Sequence, residues 1–327
     1  MRRRRPTCPV PPREGVAPTR IRLPRDERHE DLARFLTDRF APHDAAATSE
    51  LLARGDVYGP DGHPLDAGAP YEPGSHVWVF RPLPEEPDLP DDLPILYEDE
   101  YLLIVDKPHG LPVTPRGGFV RQTAVTKLRL STGIRQLSPA HRLDRLTAGV
   151  LLFAKTPEAR GPLQGLFELQ QVKKSYELIA PLTAARAAGP AVPDGIPRAP
   201  EEPLTVRSRI VKDRTSLQAR EVPGAPNAVT GVVLIDEIPG TGQGLYGAYP
   251  LSGKTHQIRV HMAALGRPIL GDPLYPEIDS EALASASTRL RLLAREILLR
   301  HPFTGEPLCV RSDRTLEEST RNDGEPA

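Results

Sequence analysis

The sequence predicts an α+β fold for the carboxyl-terminal two thirds of the chain, because predicted strands there outnumber predicted helices. Short apolar stretches bounded by Gly, Pro or charged residues indicate strands. Two longer stretches have helical periodicity. The predicted strands and helices do not alternate in the regular order of a doubly wound sheet. Strands are predicted at 101–108, 149–155, 174–181, 231–238 and 244–251, and helices at 157–171 and 254–266.

The two predicted helices have recognisable ends. The first has a proline in its first turn, and the second closes at a glycine. On the second helix, Ile258, Met262 and Leu265 recur at i, i+4 and i+7, so these side chains face the core. His256 and Arg259 then point away from those core contacts.

The bulk composition is that of a globular protein. Of 327 residues, 39% are hydrophobic and 26% are charged, enough chain for one large domain or two smaller ones. No apolar run approaches the ~18 residues that a membrane-spanning helix needs. The 42 Lys and Arg balance 43 Asp and Glu, which argues mildly against a nucleic-acid partner without excluding a basic face. Cys8 and Cys309 lie far apart, so a reducing compartment, the cytoplasm, is expected.

Proline and charge patterning divides the chain into segments. The amino-terminal residues are rich in Arg and Pro without periodicity, so they are expected to be disordered. The acidic stretch "PLPEEPDLPDDLP" has the composition of a linker. The predicted segments are a tail at 1–28, a small domain at 29–82, a linker at 83–94, a main domain at 95–312 with an exposed insertion at 183–203, and a loose tail at 313–327.

A run of charged residues precedes one of the predicted strands. In "HRLDRLTAGVLLFAK", residues 141–155, Asp144 lies between Arg142 and Arg145, just ahead of an apolar stretch. A carboxylate held ionised at the rim of a core needs partners, because an isolated buried charge is costly. Asp144 is therefore a candidate functional carboxylate, and a structural ion pair is the alternative. His141 is expected to be a structural histidine.

No metal or nucleotide cofactor is predicted. His256 and His261 are five residues apart, whereas two ligands on one helical face need a spacing of four. "GAYPLSGKT", residues 247–255, misses the spacing of a phosphate-binding loop because Gly247 is one residue too far from Gly253.

Several motifs occur together and in a fixed order in the main domain. They are "DKPHGLPV" (106–113), "HRLDRLTAGVLLFAK" (141–155), "KKSY" (173–176), "SGKTHQIRVH" (252–261) and "HPFTGEP" (301–307). With them, residues 95–312 resemble the RluA-type pseudouridine synthases, which isomerise uridine to pseudouridine in RNA. The resemblance implies a mixed, mainly antiparallel sheet and an isomerase that uses neither cofactor nor metal.

The resemblance also implies roles for single residues. Asp144 matches the family's indispensable aspartate, which either adds to C1′ of the ribose or removes the proton at C2′; the sequence leaves both routes open. Arg259 is implied as the ionic partner of Asp144, and Tyr176 as the ring that stacks on uracil with its hydroxyl near C5. Arg142 is implied to fill the gap left by the extruded uridine. The other substrate-binding residues implied are Lys107, Thr147, Lys254 and His256, of which Lys107 and His256 are expected to shape the pocket.

The segment 29–82 lies where many of these synthases carry a small αL-type RNA-binding domain. Two helices, a turn and a strand fit that domain, but basic residues are sparse. A degenerate version is predicted, and an accessory domain without RNA contact is the alternative. The chain is expected to be a monomer that acts on RNA, with large-subunit (23S) ribosomal RNA preferred over transfer RNA on family prevalence.

Two other classes of function fit parts of the pattern. A non-catalytic RNA-binding protein could keep the fold, although it has no reason to keep Asp144, Tyr176 and Arg259 together. A nucleoside or glycoside hydrolase needs a second catalytic carboxylate, for which Glu177 and Asp272 are candidates by residue type only.

Overall fold

The computed structural model describes residues 8–40, 45–83, 85–184, 196–198, 200–284 and 289–316. The chain divides into two units, Met1–Glu86 and Pro87–Ala327, and the division lies inside the predicted linker at 83–94. Most of the predicted insertion at 183–203 and of the predicted tail at 313–327 lies outside the described residues.

The smaller unit has an antiparallel sheet with helices packed on one face. Its elements are β1 (Thr19–Arg22), α1 (Leu32–Phe40), α2 (Ala45–Ala53), β2 (Val57–Tyr58) and β3 (His76–Val79). β3 lies between β1 and β2. Ile21 and Leu23 pack with Leu32, Phe35 and Leu36 in the core of this unit.

Strand β1 shows that the prediction of a disordered tail over 1–28 is wrong at residues 19–22. β1 pairs with β3, from Thr19 opposite Val79 to Arg22 opposite His76. Ile21 is buried between exposed neighbours, which is the period of a strand with one covered face. The surrounding Arg and Pro residues obscure this short alternation in the sequence.

The larger unit is built on one eleven-stranded sheet. Its elements are β4 (Ile95–Glu98), β5 (Leu102–Lys107), α3 (Ala124–Thr132), β6 (Ser138–Pro139), β7 (Ala148–Ala154), α4 (Pro157–Glu168), β8 (Lys173–Pro181), β9 (Leu204–Val211), β10 (Arg220–Val222), β11 (Ala228–Ile238), β12 (Gln243–Pro250), α5 (Gln257–Ala264), α6 (Ser280–Ala284), β13 (Leu292–Arg300) and β14 (Pro307–Arg311). The strand order is β10-β9-β11-β12-β8-β13-β7-β5-β4, with β14 beside β13 and β6 beside β7.

The prediction of an α+β fold with a mixed, mainly antiparallel sheet is confirmed. Among the described strands, β7 and β13 pair in parallel, and the other pairings are antiparallel. The predicted strands correspond to β5, β7, β8, β11 and β12, and the predicted helices to α4 and α5. The prediction misses β9 because it rests on continuous apolar runs, whereas β9 has the alternating pattern of a strand with one covered face.

Strands β5 and β7 are buried along their whole length because both faces of the sheet are covered there. Leu103 and Phe153 pack in the cluster that includes α3, whereas Ile104 and Leu152 pack in the cluster that includes α4. A strand covered on both faces has a nearly continuous apolar sequence. The charged run at 141–147 therefore leads directly into the core.

Gly149 lies where β7 meets β13, opposite Ala294. Its φ is 108°, and a Cβ placed on it would lie 2.2 Å from the carbonyl oxygen of Ala294. The opposing atom belongs to the backbone of a buried strand, so it cannot move alone. The glycine of the motif around Asp144 is therefore required by a close approach of two chains.

Gly149→Ala is expected to lower the free energy of unfolding by roughly 3 kcal/mol or more, because a backbone clash adds to the cost of positive φ. Gly110→Ala is the matched control, since Gly110 has a φ of 79° and no atom within 4 Å of an added Cβ. That variant is expected to lose only ~1–2 kcal/mol. Urea unfolding measures both losses, and equal losses would contradict the close approach.

Candidate active site

A cavity of about 970 Å³ opens in the larger unit. Its wall comes from the loop between β6 and β7, from α4 and β8, and from the segment that joins β12 to α5. The predicted site residues on this wall are Arg142, Asp144, Thr147, Tyr176, Lys254, His256 and Arg259. The fold therefore brings together three motifs that are far apart in the sequence.

Asp144 lies in the turn that enters β7. Its backbone carbonyl accepts a hydrogen bond from the N–H of Thr147 at 3.1 Å, which closes the turn. The side chain is 30% exposed, so the carboxylate lies at the rim of the core. Its Oδ2 is 3.4 Å from Nη1 of Arg259 and 3.9 Å from Nε2 of His256. The carboxylate thus faces a permanent cation and an imidazole.

Arg259 is held from its other side by Asp272. Nε and Nη2 of Arg259 donate to the two carboxylate oxygens at 2.8 and 2.6 Å, and both side chains are buried. Burial lowers the pKa of Arg259, but the hydrogen bonds and charge of Asp272, with the charge of Asp144, outweigh it and raise that pKa overall. The two parallel bonds fix the guanidinium plane and leave Nη1 directed at Asp144.

Asp272 is a positioning residue that the sequence offers only as a possible second acid. Its Oδ1 also accepts the N–H of Leu274 at 2.9 Å. Gly271, just before it, has a φ of 71°, and an added Cβ would lie 2.2 Å from the carbonyl oxygen of Arg289. The signal in the sequence is "GDPLY" after α5, but spacing alone does not show that this carboxylate folds back on Arg259.

Tyr176 lies on β8 in the middle of the sheet, with small neighbours. It is opposite Ala248 of β12 and Ala294 of β13, and its side chain lines the cavity. Burial, and then the charge of Asp144, raises the pKa of Tyr176 well above its ordinary value. The hydroxyl therefore stays protonated at neutral pH, and the ring offers an apolar face beside the carboxylate.

Comparison with known proteins decides the family. The profile described as "RNA pseudouridylate synthase" matches residues 101–264. Dual-specificity RNA pseudouridine synthase RluA from Haemophilus influenzae is 30% identical over 68% of this chain and 93% of its own length. tRNA pseudouridine synthase C from Pasteurella multocida is 32% identical over 67% of this chain and 90% of its own length. The chain belongs to the RluA-type RNA pseudouridine synthase family.

Two further comparisons show the extent of the likeness. Human pseudouridylate synthase RPUSD2 is 32% identical over 59% of this chain, and the chain spans only 33% of that relative. The solved structure of human RNA pseudouridylate synthase domain containing 1 has a TM-score of 0.53 at 22% identity, covering 70% of this chain and 86% of that one. The solved structure shows a shared fold, and family membership rests on the sequence matches.

In this member of the pseudouridine synthase family, His256 is oriented by Tyr275. The Tyr275 hydroxyl donates to the carbonyl of Ala219 at 2.9 Å, and Nδ1 of His256 lies 2.9 Å from the same hydroxyl oxygen. The contact with the Tyr275 hydroxyl fixes the ring with Nε2 facing Asp144. Burial lowers the pKa of His256, so the ring is neutral.

Lys107 lies beneath the turn that holds Asp144 rather than on the cavity wall. Its buried Nζ donates to the carbonyl oxygens of Pro108 at 2.9 Å, Leu111 at 2.8 Å and Arg145 at 3.2 Å. Burial lowers the pKa of Lys107 to about 7. Three carbonyl acceptors nevertheless require three N–H donors, so this geometry holds the protonated form. Lys107 ties the loop after β5 to the neighbour of Asp144.

The other expected residues differ in exposure. Arg142 and Lys254 are exposed on the cavity wall, and Thr147 is buried there. His141 has structural contacts, since Nε2 accepts a backbone N–H of β7 at 3.2 Å and the ring stacks on Phe167 with centroids 4.4 Å apart. The sequence does not single out Phe167, which also lines the cavity.

The two candidate second acids of a hydrolase are both engaged elsewhere. Oε2 of Glu177 pairs with Nη2 of Arg295 at 2.5 Å, and both oxygens of Asp272 bind Arg259. Among the described residues, no cluster of three His, Cys, Asp or Glu side chains could bind a metal ion. Over the same described ranges, each helix is too short or too polar to span a membrane.

Acid is expected to destabilise the fold through buried neutral histidines. Burial lowers the pKa of His109 and that of His261 to about 4, from an ordinary value of 6.5. The unfolded chain binds these protons first, so stability falls as the pH drops from about 6.5 to about 4. Each histidine adds up to ~1.4 kcal/mol per pH unit to this slope. Urea unfolding across the window measures the slope, and an unchanged slope in His261→Asn would contradict this origin.

Proposed function

We propose that this chain converts uridine to pseudouridine in RNA, with Asp144 as the catalytic carboxylate. The observation that carries the proposal is the placement of Asp144 on the cavity wall, 3.4 Å from the guanidinium of Arg259 and on the same wall as Tyr176. Keeping a carboxylate ionised costs free energy once the substrate excludes water from the cavity. The buried Arg259, fixed by Asp272, offsets that cost.

The proposed reaction breaks the bond between N1 of uracil and C1′ of the ribose and forms a bond between C5 and C1′. C5 loses one proton and N1 gains one, so the mass of the RNA does not change. Asp144 acts by adding to C1′ or by removing the proton at C2′, and both routes start from the same ionised carboxylate. Tyr176 stacks on the base as a neutral phenol with its hydroxyl near C5, and Nε2 of the neutral His256 is the group available to accept the C5 proton.

The exposed cations of the cavity wall fit an RNA substrate. Arg142 fills the place of the extruded uridine, and Lys254 contacts phosphate as a point charge. Large-subunit (23S) ribosomal RNA is the preferred target on family prevalence, and transfer RNA is the second candidate, since one relative is named for dual specificity and another for transfer RNA. We further propose that the chain is a cytoplasmic monomer and that its smaller unit adds contacts to RNA.

Release of tritium tests the reaction. RNA from cells that lack this protein is labelled with tritium at C5 of uridine and incubated with the purified chain. Tritium is expected in water without free uracil, because rejoining through C5 displaces that hydrogen and keeps the base attached to the RNA. Free uracil would instead indicate a hydrolase, and RNA binding without tritium release a binding protein. Asp144→Asn is the control and is expected to release tritium on the order of 10²–10⁴-fold more slowly.

A further inference from the structure

The cavity extends beyond the carboxylate to an aromatic wall formed where α4 meets the loop after β6. The rings of His141 and Phe167 stack there at 4.4 Å with an angle of 20° between their planes, and both line the cavity. Gln164 and Glu168 of the same helix line it as well. At about 970 Å³, the cavity is at the upper end of the ~300–1,000 Å³ that surround a whole drug-sized ligand.

The register of β7 separates this aromatic pair from the reaction centre. His141 accepts the backbone N–H of Leu152, whereas the turn with Asp144 leads into β7 at its first residue, Ala148. His141 and Asp144 are three residues apart, at most ~11 Å between Cα atoms, and their side chains lie at different points along β7. One uridine seated against Asp144 and Tyr176 leaves the aromatic pair free for another group.

An amide and a carboxylate that can bind a nucleobase lie beside the pair, with Lys174 on the same cavity wall. Nε2 of Gln164 donates to the carbonyl of Pro139 at 3.3 Å, which holds its amide against the wall. Glu168 is exposed and faces the cavity with a carboxylate, which repels phosphate but accepts hydrogen bonds from the amino groups of bases. Unstacked RNA bases are bound in this way, on aromatic rings and through their edges.

We propose that His141 and Phe167 form a second base-binding subsite, which takes a nucleotide flanking the target uridine in the same RNA, with Glu168 facing its amino group. The inference rests on the proposed function and adds a determinant of sequence context to it. A flanking adenine, guanine or cytosine fits the carboxylate, whereas uracil lacks the amino group.

Abasic substitution tests the subsite. Once the target uridine is mapped, oligonucleotides that contain it are made with a single abasic residue at each of three positions on either side. At one position the abasic residue is expected to lower kcat/KM of the wild type about 10-fold, the size of one lost base stack. Phe167→Leu keeps apolar contact with the core beneath it. This variant is expected to have a similarly lowered kcat/KM on the intact RNA, and the abasic residue at that position is expected to lower it no further.

Two further variants complete the test. Glu168 lies on the surface. Glu168→Gln is expected to reduce the preference for an amino-bearing base at the RNA position that the abasic scan identifies. Leu169→Ala, one residue along and 69% exposed, is the matched control and should behave as the wild type. Equal sensitivity of the wild type and Phe167→Leu to every abasic substitution would overturn the subsite. Absence of pseudouridine from the intact oligonucleotide with the wild type would instead overturn the proposed function.

Discussion

Replacing Asp144 by Asn is expected to slow pseudouridine formation by on the order of 10²–10⁴-fold, the contribution of a positioned catalytic group. The amide can neither add to C1′ nor remove the proton at C2′, so the loss is expected on either route. Stability should change little, because the side chain is 30% exposed and Arg259 keeps its paired bonds to Asp272. Single-turnover rates and urea unfolding measure the two effects separately.

Asp236→Asn is the control for this variant. Asp236 is an exposed carboxylate on β11 and is not among the described residues that line the cavity. Its replacement is expected to leave both rate and stability unchanged. Turnover of Asp144→Asn at the wild-type rate would exclude Asp144 as the catalytic carboxylate.

Replacing Asp272 by Asn is expected to lower the free energy of unfolding by ~3–5 kcal/mol, because it leaves the buried guanidinium of Arg259 without its charged partner. Turnover should fall as well, by about 10-fold or more, since Nη1 of Arg259 is no longer fixed toward Asp144. Urea unfolding gives the first quantity, and single-turnover rates at a temperature where the variant is folded give the second.

The double variant Arg259→Met with Asp272→Asn separates stability from catalysis, because Asn keeps the oxygen that accepts the N–H of Leu274. Removing both buried charges often restores stability, because neither charge then remains unpaired in the interior. The double variant is therefore expected to be more stable than Asp272→Asn and yet to remain inactive, since Asp144 has lost its cation. Recovery of turnover together with stability would show that Arg259 serves the fold alone.

Features with local causes could be predicted from the sequence. The apolar run of β7 follows from its two covered faces, and Asp144 lies just ahead of it in the same short block of sequence. Helical periodicity also placed Arg259 away from the core contacts of its helix, and the structure shows it buried against Asp272.

Features that depend on the path of the chain could not be predicted. The bond between Asp272 and Arg259 requires the left-handed turn at Gly271, and residue type alone makes Asp272 look like a second acid. The sequence pattern indicates that Phe167 is a core residue of a helix. Its place in the cavity depends on how α4 packs beside the loop with His141. Strand β1 is short, and more than fifty residues of sequence separate it from its partner β3.

Pseudouridine mapping on cellular RNA tests the central claim most directly. Wild-type cells are compared with cells that lack the protein and with the same cells carrying either the wild-type chain or Asp144→Asn. At least one uridine is expected to lose its modification in the deletion, to regain it with the wild-type chain and to stay unmodified with Asp144→Asn. Restoration by Asp144→Asn would contradict the role of this carboxylate, and an unchanged map in all strains would contradict the proposed reaction.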